Sequence, residues 1–184
     1  MTENDRRYLP LSNLAHRHRG LTPALAESYL EAARVCLDRH HTSPKTFSIE
    51  NDSQSRSTTV EWTMATERER GAWNNRDDAT RDGAYACAIA AIELVEILYA
   101  VRRAETLTGS DYYVAPAGPA PQDLEDHLRL EVSGVDSGEN SVISQRLKEK
   151  IVQATNGRSN LPAIAVVVGF KAKLIKTQRV RGRI

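Results

Sequence analysis

The chain has 184 residues, of which 40% are hydrophobic and 27% charged, with a formal net charge of +1. That apolar fraction allows a buried core and argues against global disorder, and the length suits one domain with a small appendage. The balanced charge excludes nucleic-acid binding through overall basicity, so an electrostatic footprint has to be local.

Residues 1–20 are polar and include the basic cluster His16, Arg17, His18 and Arg19. They read as an arm, irregular or docked on the rest. No apolar run of a signal peptide is present at the N-terminus, and a cytoplasmic protein is expected. Thr22 followed by Pro23 is a helix start, a capping hydroxyl and then proline in the first turn. Leu25, Ala26, Tyr29, Leu30, Ala33 and Leu37 follow at helical spacing, which predicts one amphipathic helix over residues 23 to about 39. Residues 46–50 and 58–64 read as the two strands of a hairpin. In the second, Val60, Trp62 and Met64 alternate with polar neighbours. Residues 66–78 are charged and read as a loop.

The strongest helical pattern runs from about 78 to 104. Ala84, Cys87, Ala88, Ala91, Ile92, Leu94, Val95 and Leu98 make a broad apolar face, rich in small residues that permit close approach to a sheet. Glu93 and Glu96 within this run argue against a membrane span. A strand over 111–115 follows Thr108-Gly109-Ser110. Residues 116–122 hold three prolines and a glycine and read as a loop. In the strand 127–133, Leu128, Leu130 and Val132 face one way and Arg129, Glu131 and Ser133 the other. A helix over 141–154 ends at Asn156-Gly157. Residues 162–170 form a continuous apolar run, the mark of a central strand buried on both faces. Residues 174–180 read as a last strand. The strand–helix–strand from 128 to 168 is compatible with a parallel crossover. The fold class is therefore α/β, with an N-terminal arm, helix and hairpin over 1–77 packed on a core over 78–184.

Asp111 and Glu131 stand out chemically. Two carboxylates on neighbouring strands can share one Mg²⁺, a cation that takes hard oxygen ligands and retains waters. Such a metal polarises a phosphodiester and supplies a metal-bound hydroxide. The plainer alternative is an exposed strand-end aspartate and a surface glutamate.

The run Gly109-Ser110-Asp111-Tyr112-Tyr113, then Arg129-Leu130-Glu131-Val132-Ser133, followed by a helix and a buried strand, resembles the PD-(D/E)XK restriction-endonuclease-like superfamily. The resemblance covers residues 81–170. It implies an α-β-β-α-β core, a nuclease acting on nucleic-acid phosphodiesters, and Mg²⁺ or Mn²⁺ held by Asp111 and Glu131. The superfamily's lysine falls at Ser133, so this chain departs from the pattern at the position of the water-activating cation. Lys150 lies beside the apolar stripe of the following helix, and a lysine there buries its stem and leans toward the sheet. It is the expected replacement, and snorkelling at the core edge is its plainer reading. Gln153, three residues on, would line the same cleft. A further acid from the preceding helix is also implied, with Glu93 as the candidate and Glu96 more solvated.

Lys171, Lys173, Lys176, Arg179, Arg181 and Arg183 make an acid-free basic run that suits contact with nucleic-acid phosphates, or protects an edge strand. Cys36, His40 and His41 lack a second pair to complete a zinc site. The two cysteines, Cys36 and Cys87, read as reduced thiols. Two rivals to the nuclease remain open. One is an inactive nucleic-acid- or protein-binding module of the same fold. The other is an oligomeric assembly component, and a homodimer is compatible with the apolar helix or hairpin.

Overall fold

The structure, a computed structural model, describes residues 7–52, 54–118 and 127–182. Its elements in chain order are α1 (Leu14–Arg17), α2 (Pro23–His40), β1 (Lys45–Asn51), β2 (Gln54–Val60), α3 (Glu67–Ala72), α4 (Arg76–Glu96), β3 (Tyr99–Arg103), β4 (Tyr112–Ala115), β5 (Leu128–Val135), α5 (Asn140–Asn156), β6 (Ala163–Gly169) and β7 (Leu174–Val180). The strands form one mixed sheet in the order β2-β1-β7-β6-β5-β4-β3. The pairs β5–β6 and β1–β7 are parallel and the rest antiparallel. The α/β class holds, and the β5–α5–β6 unit is a parallel crossover, with which the strand–helix–strand pattern is compatible. Because β1 pairs with β7, the N-terminal hairpin extends the same sheet as residues 78–184.

Each sheet face has its own core. On one face α2 and α4 pack over Leu130, Val132, Ile164, Val166 and Val168, with Phe47 and Ile49 of β1. On the other, Ile143, Leu147 and Ala154 of α5 meet Ala163, Ala165 and Val167. β6 is buried at every position because both faces are covered, as its unbroken apolar run required. The arm is docked: Leu9, Leu11 and Leu14 join the larger core, and Leu9 N–H donates to the Thr59 carbonyl.

Three boundaries differ from the sequence expectation. The long helix ends at Glu96 rather than about 104, because Ile97 takes a left-handed conformation with φ 56° and the chain turns into β3. Helical and strand spacings are indistinguishable in a short apolar run such as Leu98 to Val101. Residues 66–78 are not a loop. A capping box between Thr66 and Glu69 starts α3, and Asn75 caps α4. The second hairpin strand ends at Val60; Trp62 is buried beyond it, but Met64 is 69% exposed. Part of the proline-rich loop 116–122 lies outside the described residues.

Helix α4 is buried nearly all round between α2 and the sheet, and its small residues make this fit. A Cβ on Gly83 would lie 2.8 Å from the Ala33 backbone nitrogen, so no side chain fits unless α2 moves. Gly83→Val is expected to cost about 2–3 kcal/mol by overpacking, read as a lower urea midpoint at unchanged slope. No described helix is long and apolar enough to cross a membrane.

Candidate active site

The site follows from a mismatch in strand pairing. β5 pairs with β6 over Arg129 to Val135 but with β4 only over Leu128 to Leu130. Past Leu130 no described strand pairs with the β4 side of β5, and its backbone groups there need other partners. Asp111 supplies the first of them. Its N–H donates to the Leu130 carbonyl at 2.8 Å, and its carboxylate Oδ2 accepts the Val132 N–H at 2.8 Å. The other oxygen, Oδ1, accepts the Tyr85 hydroxyl of α4 at 2.6 Å.

Strand alternation puts Arg129, Glu131 and Ser133 on the face covered by α5. Glu131 is only 2% exposed. The Lys150 ammonium donates to its Oε1 at 2.8 Å and to Gln153 Oε1 at 3.0 Å. The three-residue spacing places Lys150 and Gln153 on one side of α5. Burial pushes the Glu131 carboxyl up to about 7, and the neighbouring Asp111 charge adds to the rise, while Lys150 and Arg129 oppose it. The Tyr85 phenol is also raised, by burial first and then by Asp111, so it stays protonated and donates.

Asp111, Glu131, Ser133, Lys150 and Gln153 thus line one cleft of about 320 Å³, walled on the other side by Thr80, Arg81 and Tyr85 of α4. The spacing of the sequence points to the two acids, the lysine and the glutamine. It does not point to Tyr85, which looks like one more core residue of an apolar helix, nor to Arg103. That arginine belongs to β3 and not to a helix end. Its guanidinium stacks over the Tyr85 and Tyr112 rings at 4.9 and 4.8 Å, and it donates to the Tyr29 hydroxyl at 2.8 Å.

Glu93 does not join this cleft. It lies eight residues beyond Tyr85 on α4, about 12 Å along the axis. It accepts from Arg17 at 2.6 Å and bonds His18 at 2.9 Å, fixing the docked arm. Burial raises its carboxyl, but the bonds from His18 and Arg17 outweigh that and hold it below the ordinary range. Glu96 is engaged by Arg179 and Asn51.

The basic C-terminal run does not form one face. Lys176 pairs with Glu50 at 2.8 Å and bonds Ser144 of α5, while Arg179 pairs with Glu96 at the end of α4, on the opposite side of the sheet. Lys171, Lys173 and Arg181 are exposed or nearly so, and Arg183 lies outside the described residues. His40 bonds Asp136, His41 bonds the Phe170 carbonyl, and burial pushes the Cys36 thiol up to about 12. Among the described residues no group of three or more His, Cys, Asp or Glu could hold a metal ion. A scan against protein-family models and searches of curated proteins and of solved structures each returned no match.

Proposed function

We propose that this cleft is the active site of a Mg²⁺-dependent nuclease of the restriction-endonuclease-like type. The observation that carries the reading is the Lys150 ammonium resting 2.8 Å from a buried Glu131 in the cleft that also holds Asp111. Two acids, one just before β4 and one on β5, and a lysine from α5 line it together; the sequence resemblance assigns the two acids to metal, and Lys150 would replace the motif lysine absent at Ser133.

A divalent cation suits the donor set. Asp111 and Glu131 offer hard carboxylate oxygens, and a single lysine faces them. The Glu131 carboxyl is raised first by burial and then by the Asp111 charge, and a cation between the two acids would oppose both. With Asp111 and Glu131 as its protein ligands, the ion would keep most of its waters, which is the habit of Mg²⁺ and Mn²⁺ at phosphoryl sites. Bound there, the metal supplies polarisation of the phosphodiester and an activated water. Asp111 is oriented for this by Tyr85 and the Val132 N–H, and Lys150 is placed to hold the attacked phosphate. Gln153 fixes Lys150 through its amide oxygen.

The test is cleavage of plasmid and single-stranded DNA and of RNA with Mg²⁺ and with Mn²⁺. Asp111→Ala and Glu131→Ala are each expected to lose about 100-fold or more, the scale of a removed charge-stabilising group. Activity equal to the parent in both variants overturns the metal reading. A second reading, a binding module of the same fold, is favoured by Ser133 at the superfamily's lysine position. It predicts that the parent binds an oligonucleotide and cuts none.

A further inference from the structure

The cleft does not end at Asp111. A second recess of about 400 Å³ meets it there, sharing Asp111 and Gln153, and is walled by Arg103 and the 104–110 turn that leads into β4. Arg103 is the notable group. Its side chain is half exposed, and its ion-pair neighbour among the described residues is Asp111, 4.0 Å away and beyond hydrogen-bond range. Two other arginines of the neighbourhood are neutralised: Arg81 pairs with Asp78 and Asp82, and Arg102 with Glu105. Glu105, also on the recess wall, is further engaged by the Tyr113 hydroxyl at 2.7 Å.

The Arg103 head is also held in place before any ligand arrives. Two tyrosine rings stack on it and the Tyr29 hydroxyl accepts from it. A planar, fixed, always-charged fork is the side chain best suited to phosphate oxygens. Gln153 adds a donor, because its amide oxygen is taken by Lys150 and the NH₂ remains.

We propose that this recess binds the phosphate adjacent to the one that is cut, with Arg103 as its principal donor and Gln153 as its second. The proposal rests on the nuclease reading and deepens it. The substrate is then a chain with at least two consecutive phosphates, an oligonucleotide rather than a simple diester.

The experiment compares the parent with Arg103→Gln and Arg103→Lys on a short oligonucleotide and on bis(p-nitrophenyl) phosphate, which has a single phosphate. The ratio of kcat/KM for oligonucleotide over small diester is expected to fall about tenfold in Arg103→Gln and to recover partly in Arg103→Lys. Both substrates slowing in step would mean that Arg103 acts only through Tyr85 and Asp111, and would overturn the proposal. An unchanged ratio would do the same. Binding of the same oligonucleotide, followed by fluorescence anisotropy with Ca²⁺, is expected to weaken about fivefold in Arg103→Gln. Equal binding counts against the recess. Should the parent cleave neither substrate, the nuclease reading falls, and the binding comparison alone decides the phosphate site.

Discussion

Glu131→Gln will raise the stability of the metal-free protein at pH 8 relative to the parent, and the advantage will vanish in acid. The folded-state carboxyl of Glu131 titrates at about 7 against an ordinary 4.5, because burial and Asp111 outweigh Lys150. A folded pKa above the unfolded one means that the fold prefers the neutral acid. The associated stability is fully present below about 4.5 and is lost as pH rises through 7. The loss amounts to about 3 kcal/mol by pH 8, since each unit is worth about 1.4 kcal/mol. Glutamine keeps the shape of the neutral acid and cannot ionise, so the variant escapes the loss. Denaturant titrations in EDTA at pH 5, 6, 7 and 8 will show the two proteins diverging upward through this window. Parallel pH profiles would refute the assignment.

The same experiment with a divalent cation carries functional information. If Mg²⁺ or Mn²⁺ binds Asp111 and Glu131, it stabilises the parent at pH 8 by mass action, by about 2.7 kcal/mol at a hundredfold excess over its dissociation constant. Glu131→Gln loses one of two charged ligands and should show little of this gain. A buried acid that weakens the empty protein and strengthens the loaded one is the trade-off expected of a binding site. A structural glutamate would show the first effect without the second.

The sheet and most of its helices were legible because their residues carry simple periods. β6 is apolar throughout, β5 alternates, and α2 is capped by Thr22 and Pro23. The errors fell where one residue decides the path. Ile97 in a left-handed conformation ends α4 and releases β3, and no Gly or Asn marks the place. The capping box at Thr66 was readable but is hidden in a charged, polar stretch. For the site, strand alternation placed Glu131 toward α5, and helical spacing placed Lys150 and Gln153 together. The Tyr29, Tyr85, Arg103 and Tyr112 network was not readable, because contacts between residues 83 positions apart depend on how α2 and α4 lie on the sheet. Glu93 lies away from the cleft for the related reason that helix phase fixes which face a residue takes but not which end of the helix meets the cleft.

On the nuclease reading Lys150 replaces the motif lysine absent at Ser133, and its removal has the other large expected effect. Lys150→Met removes the ammonium facing Glu131, drives that carboxyl further toward its neutral form, and leaves Arg81, already paired with Asp78 and Asp82, as the cation on the cleft wall. Cleavage is expected to fall roughly 100- to 1,000-fold, the cost of losing one preorganised charge-stabilising group. Ser133 lies two residues after Glu131 on the same strand face, half-buried, and lines the same cleft as Lys150. A lysine placed there would enter the cleft that Lys150 lines. Ser133→Lys in the Lys150→Met background is therefore expected to restore cleavage about tenfold, measured in single turnover at saturating Mg²⁺ with the fold checked by circular dichroism. Ser133→Lys alone should gain nothing, because two ammonium groups would then compete for one carboxylate and weaken the metal. If Lys150→Met cuts at the parental rate, Lys150 is only a partner for a buried acid. Rescue by Ser133→Lys would instead establish that the cation is required by the chemistry and that its position on β5 or α5 is interchangeable.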